Sequence, residues 1–294
     1  MIKRVLIKIK VSGFKGLIKA INRNLFPNKI KYYDTIKDIV SMGSGLEIGG
    51  VSGIFKDRGS IPIYKHINNL DNCNFSESTV WENISKEYQY KYHKSKNTGT
   101  QYILEATNLE SIDDEKYDFI LSSNMIEHTG NVIKAINEWL RVIKDNGYLI
   151  LVIPHKDGTF DHQRSTTKLE HFIKDYENDV DENDLTHLDE ILENHDLKLD
   201  PGAGSFEEFK KRSYLNHKNR CLHHHTFTSK SIAQLMDYLN LDIKVIEPIE
   251  PQEVVVVLKK STNNTAIDNK DILDLVSSNR FQSPFKSDNK FKEK

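Results

Sequence analysis

Several short stretches of this sequence carry residue types and spacings that could do chemistry. Leu46-Glu47-Ile48-Gly49-Gly50-Val51-Ser52-Gly53 runs from a short apolar segment into a glycine loop. Glycine lets the backbone turn tightly and lets a ligand approach where a Cβ would block it. No Gly-Lys-Ser/Thr follows, which excludes a P-loop; a dinucleotide loop and an ordinary turn both stay open. Asp71 lies 24 residues beyond Glu47. An acid at the end of a second strand can accept hydrogen bonds from both hydroxyls of a ribose, and the plainer reading is a solvated turn residue. Ser123, at the end of the strand-like run Tyr117–Ser123, is a further binding candidate.

His155 directly follows the apolar run Tyr148–Ile153 and Pro154, with Asp157 two residues on. A histidine near its ordinary pKa of about 6.5 suits a general base, and an acid beside it can orient the ring. His155 and Asp157 are therefore the catalytic candidates; a purely hydrogen-bonding role for His155 is the alternative. His162, His171, His187 and His223-His224-His225 crowd the same region and invite a metal reading. Consecutive histidines on an extended chain alternate between faces, and neither an HExxH nor a facial-triad spacing occurs. No metal site is expected.

These candidates need a scaffold that brings strand ends together. Gly45–Gly49, Tyr102–Ala106, Tyr117–Ser123 and Tyr148–Ile153 read as short strands, with a weaker one over Ile61–Leu70 that ends near Asp71. The Tyr148–Ile153 run does not alternate, as expected of a strand buried on both faces. Val132, Ile133, Ile136, Trp139, Leu140 and Ile143 recur at helical spacing until Asn146-Gly147 stops them. A helix is expected over Ser229–Leu239 with Ser229 as N-cap, then two strands, Ile243–Ile246 and Val254–Leu258, able to form a hairpin. Alternation of this kind predicts an α/β fold: a Rossmann-like, doubly wound, mainly parallel sheet. Its ligands sit beyond the carboxyl ends of the strands.

The motifs and their order resemble class I S-adenosylmethionine (SAM)-dependent methyltransferases, in particular the methyltransferase type 11 group. Leu46-Glu47-Ile48-Gly49 with Gly53 is similar to that family's first loop. Glu105-Ala106-Thr107-Asn108-Leu109 is similar to its acidic-Ala-x-x-Leu block. Tyr117-Asp118-Phe119-Ile120 through Ile126-Glu127-His128 is similar to its fourth strand and Leu-Glu-His turn, and Lys144-Asp145-Asn146-Gly147 stands where Lys-Pro-Gly-Gly is usual. The chain departs from the pattern at Val51, Gly50 and Asn108. The resemblance implies SAM as cofactor, with Glu47, Gly49, Gly53, Asp71, Glu105, Ala106 and Ser123 around it. It also implies that Glu127-His128 serves architecture more than chemistry. A NAD-dependent dehydrogenase is the fold-level rival; a non-catalytic SAM-fold binding or scaffold protein is the rival of another class.

About seventy residues, 156–228, separate the fifth strand from the closing helix and strands. They are expected to form a helical cap insertion over the acceptor. This stretch is similar to methyltransferases found with bacterial surface-polysaccharide genes, which implies a sugar or glycan-precursor hydroxyl as acceptor. Composition agrees with an enzyme of this kind. Hydrophobic residues make up 37% of the chain and charged residues 29%, too polar for a membrane-spanning bundle. A net charge of −2 gives no general attraction to nucleic acid. Two distant cysteines, Cys73 and Cys221, make neither a disulfide framework nor a CxxC zinc site and suit a cytoplasmic location.

The ends differ from the middle. Residues 1–40 carry ten Lys/Arg against Asp34 and Asp38, and Phe14, Leu17, Ile18, Ile21 and Leu25 share one helical face. The expected layout is a basic amphipathic segment over 1–40, a methyltransferase domain over 41–260, and a tail over 261–294 read as mostly disordered apart from a short helix around Ile272–Val276. The first segment either packs on its own domain or, through residues 1–26, touches the inner face of a membrane.

Overall fold

The computed structural model describes residues 30–79, 88–261 and 267–292. The amphipathic segment over residues 1–26 lies outside them. Eight strands form one sheet: β1 Ser44–Ile48, β2 Asn69–Asn74, β3 Gln89–Tyr90, β4 Gly99–Ile103, β5 Tyr117–Ser123, β6 Ile143–Pro154, β7 Asp242–Ile249 and β8 Glu253–Lys259. Their spatial order is β3-β4-β2-β1-β5-β6-β8-β7. The five strands from β4 to β6 in that order run parallel. β8 pairs antiparallel to both β6 and β7, as the expected hairpin, and β3 pairs antiparallel to β4. The chain winds outward from β1 through β2 in one direction and from β5 in the other, so the crevice for ligands opens where β1 and β5 end. This is the Rossmann-like sheet that the strand–helix alternation predicted.

Helices cover both faces. On one, α2 (Val132–Val142) buries Val132, Ile133, Ile136 and Trp139, its first turn capped by the Asn131 side chain, which accepts from Lys134 N. Beside it lies α7 (Ser229–Tyr238), whose N-cap is Thr228, in a capping box with Ser231, and not Ser229. On the other face, α1 (Tyr33–Ser41) buries Tyr33, Ile36 and Val40 in the cluster that includes Phe55, Tyr64 and Phe119. Residues 30–40, expected in a separate basic segment, thus belong to the folded unit. The strand expected over Ile61–Leu70 is instead a loop with one 3-10 turn, Tyr64–His66, and β2 starts at Asn69.

Between β6 and α7 the chain forms the expected helical cap: α3 Leu169–Glu177, α4 Leu188–Asn194, α5 Phe206–Tyr214 and α6 Asn216–Asn219. Leu188, Ile191, Ala203, Phe209 and Leu222 give it a small core of its own.

The expected disorder after residue 261 is corrected over 267–292. There the short helix expected around Ile272–Val276 is α8 (Lys270–Val276), which packs on α7, and Val276, Phe281 and Phe285 are buried in the main core. Polar composition hid a few well-spaced apolar anchors: Asn269 caps the segment to β7 by accepting from Ile243 N and donating to the Leu241 carbonyl.

Candidate functional site

At the carboxyl ends of β1, β2, β4 and β5 lies a cavity of about 440 Å³, within the range of small-molecule sites. The loop after β1 forms one wall. Gly49 takes a φ of +80°, where a Cβ is strained and would meet Met125 Cγ at 2.9 Å. Gly53 opens toward the cavity; a Cβ there would meet nothing within 4 Å. Glu105, Ala106 and Ser123 complete this half. Five of the seven binding candidates therefore share one cavity.

Glu47 and Asp71 do not line it. Glu47 is fully buried beneath the loop. Its Oε1 accepts from Ser52 Oγ at 2.5 Å and its Oε2 from Tyr90 Oη at 2.5 Å, while Tyr64 Oη reaches both oxygens at 2.9 Å. Burial pushes its carboxyl up, and the Ser52, Tyr90 and Tyr64 hydrogen bonds oppose that rise. Glu47 shapes the loop from behind. Asp71 sits in the middle of β2, accepting from Thr100 N at 2.7 Å and from Tyr117 Oη at 2.7 Å. The late start of β2 moves the strand end to Asn74, which lines the cavity in its place.

His155 and Asp157 are corrected as well. His155 is fully buried, outside the cavity lining. Its ring stacks on Phe285 with centroids 4.1 Å apart, and its Nε2 lies 3.2 Å from Asp288 Oδ1. Asp157 accepts from Ser287 N at 2.6 Å and Ser287 Oγ at 2.7 Å. Both serve to dock the 267–292 segment; no sequence spacing links positions 155 and 285.

The cavity's polar end comes from the turn after β5 and from the cap. His128 lines it, on the 3-10 turn Ile126–His128. Its Nδ1 lies 3.0 Å from the Leu222 carbonyl, which can only accept, so Nδ1 carries the proton and Nε2 the lone pair. Burial and the neighbouring His223 hold this imidazole well below its ordinary pKa, hence neutral at pH 7. His223 stands against it with ring centroids 4.6 Å apart, and its Nδ1 meets Asp161 Oδ2 at 2.5 Å. Burial alone would raise the Asp161 carboxyl, but His223 and Arg164 bring it down to about 2.

Arg220, which sequence reasoning missed, reaches from the cap to Glu105 Oε1 at 2.5 Å and to Glu182 Oε2 at 3.3 Å. It lies in the left-handed region at φ 53°, just after α6, and its guanidinium sits 5.2 Å from the Phe75 ring centroid. Burial pushes the Glu182 carboxyl up to about 7, against the pull of Arg220 and of the Gly130 N–H. Only the folded cap brings these sequence-distant residues together.

A family model described as a methyltransferase domain matches residues 15–244. The chain belongs to this family. The sequence motifs described above make S-adenosylmethionine its expected cofactor. Among solved structures the methyltransferase is similar to an S-adenosylmethionine dependent methyltransferase of Mesorhizobium loti (10% identity, 78% of this chain and 95% of that one, TM-score 0.46). A putative S-adenosylmethionine dependent methyltransferase of Listeria monocytogenes is also similar (13%, 78% and 98%, TM-score 0.44). An uncharacterized protein of Methanocaldococcus jannaschii is 26% identical over 129 residues, 44% of this chain; the match spans about half, 47%, of that protein's length.

The cavity fits such a cofactor. Besides the opening at Gly53, Asn124 Oδ1 and Arg220 Nε are buried in its lining and make no hydrogen bond among the described residues. Buried polar atoms of this kind call for a polar ligand.

No described helix is long and apolar enough to cross a membrane.

Proposed function

We propose that this methyltransferase methylates a hydroxyl of a sugar or glycan precursor, with His128 as the general base. Bound SAM supplies a methyl group on a sulfonium, which needs an aligned nucleophile more than covalent help from the protein. Gly49, Gly53, Glu105, Ala106, Ser123 and Asn74 hold the cofactor, and the cap excludes water and aligns the acceptor. His128 carries the reading. It is neutral and fixed in the tautomer with its lone pair on Nε2, on the wall of the cavity. As the hydroxyl oxygen takes the methyl, its proton passes to His128 Nε2. The anionic Asp161, behind His223, stabilises the imidazolium. Asn124, Glu182 and Arg220 are side chains suited to a ligand rich in hydroxyls, and the cap's likeness to polysaccharide-associated methyltransferases supports that acceptor class. By the same proposal, residues 1–26 hold the enzyme against the inner face of a membrane, where lipid-linked glycan precursors lie.

His128→Asn keeps a donor for the Leu222 carbonyl but has no basic ring nitrogen. Turnover, read as S-adenosylhomocysteine release with a panel of sugars and nucleotide sugars, is expected to fall by about 10²–10⁴-fold. SAM affinity by calorimetry should stay near wild type. Normal turnover in this variant refutes the base. Product formation on amines or proteins and none on hydroxyl acceptors refutes the acceptor class.

A further inference from the structure

Apart from the cavity, the cap holds a second convergence of ligating side chains. His171 and Asp175 lie one turn apart on the same face of α3. His187 directly precedes α4, and His225 lies in the extended segment leading into α7. The four meet from three separate segments. His171 Nε2 is 2.9 Å from His187 Nε2 and 3.2 Å from Asp175 Oδ2, and Asp175 Oδ2 is 3.6 Å from His225 Nε2. One donor atom from each falls within 4.8 Å of all the others.

We propose that His171, Asp175, His187 and His225 bind one zinc ion in a closed, four-coordinate structural site that staples α3 and the start of α4 to the segment leading into α7. Ligands about 2.0–2.1 Å from a tetrahedral zinc stand about 3.3–3.4 Å from one another, and the separations of 2.9, 3.2 and 3.6 Å bracket that edge. Three imidazoles and one carboxylate suit zinc over magnesium or calcium, which prefer all-oxygen shells.

Hydrogen bonding alone leaves the cluster incomplete. His225 is 1% exposed and Asp175 7%, yet Asp175 Oδ2 makes no hydrogen bond among the described residues. The His171–His187 contact joins two nitrogens and can use only one proton. An ion at the centre satisfies Asp175 Oδ2 and three imidazole lone pairs together. The long 3.3 Å contact from His225 Nε2 to the Gly130 carbonyl is exchanged for ligation. All four positions are protein atoms, which leaves no place for a reacting water and marks the site as structural. Its place matters to the cavity: His225 is two residues beyond His223, and its N–H approaches the Glu127 carbonyl at 3.5 Å.

The test is zinc titration of the chelator-stripped full chain against a chromophoric competitor. One equivalent is expected to bind, and cobalt in its place should give the intense visible absorption of a four-coordinate ion. Removing a group that merely hydrogen-bonds a ligand usually weakens a metal site about 10–100-fold, so His171→Gln and Asp175→Asn, each losing a ligand, should weaken it by at least ~100-fold. His171 is partly exposed, at 36% of its side chain, so His171→Gln should keep the fold, which circular dichroism checks. Zinc should raise the melting temperature of the wild type and leave that of His171→Gln unchanged. Failure to take up an equivalent of zinc overturns the site. So does binding that survives His171→Gln but is lost in His223→Ala, which would place the ion at Glu127, His128 and His223 instead.

Discussion

Replacing Gly49 and Gly53 separately by alanine should move stability in opposite directions. At Gly49 the backbone sits at φ +80°, and a Cβ would come within 2.9 Å of Met125 Cγ. An L-residue in the left-handed region costs about 1–2 kcal/mol, and forcing Met125 off its rotamer adds about 0.5–1.5 kcal/mol. Gly49→Ala should therefore lose about 1.5–3.5 kcal/mol. At Gly53 no atom lies within 4 Å of the new Cβ, and no left-handed φ is required. There the substitution mainly restricts the unfolded chain, a gain of about 0.4–1 kcal/mol. The same methyl group enters the cofactor's space, where overpacking costs about 1–3 kcal/mol, or about 5- to 150-fold in SAM affinity. Urea unfolding of the ligand-free proteins reads the first quantity and calorimetry with SAM the second. If Gly53→Ala binds SAM as tightly as the wild type, the cavity at this loop is not the cofactor site. If Gly49→Ala is as stable as the wild type, the strained turn is not there.

Phe285→Ala removes a ring that is 4% exposed and stacked on His155, and should cost about 3–5 kcal/mol in urea unfolding; a change within about 0.5 kcal/mol, the size of an ordinary surface substitution, would mean the segment is not docked there. Asp161 should shape the acid limb. Its folded pKa of about 2 lies below the unfolded 3.8, so its contribution is present above pH ~4 and lost as pH falls toward ~2, amounting to about 2 kcal/mol. Stability measured against pH from 5 to 2 should fall less steeply in Asp161→Asn than in the wild type, and equal slopes contradict the pairing with His223 and Arg164.

The sheet was readable in the sequence because strands buried on both faces leave unbroken apolar runs, as at Phe119–Leu121 and Tyr148–Ile153. Loop positions that closely follow a strand end, Gly49, Gly53, Glu105 and Ala106, were also readable. Asp71 was not, because placing it needed the start of β2 to within three residues, and the apolar 61–67 loop mimics a strand. His155 looked catalytic for a sound reason, its place after β6. What covers it arrives 130 residues later in Phe285 and Asp288, and no local pattern announces that contact. Similarly, His171, His187 and His225 show no metal spacing because three segments, not one helix, bring them together.

Arg220 joins the two halves of the molecule by charge, meeting Glu105 on the sheet side and Glu182 within the cap. If SAM enters between Glu105 and Glu182, that pair has to part. The guanidinium is 13% exposed and the Glu105 side chain 43%, so dissolved ions reach the contact and weaken it. Ordinary electrostatic steering makes association slower as salt is added. On that route the opposite trend is expected: the rate constant for SAM uptake, read by stopped-flow fluorescence, rises with ionic strength, and a fall would mean that the pair does not gate entry. Arg220 would then tie the speed of ligand exchange to the ionic composition of the surroundings.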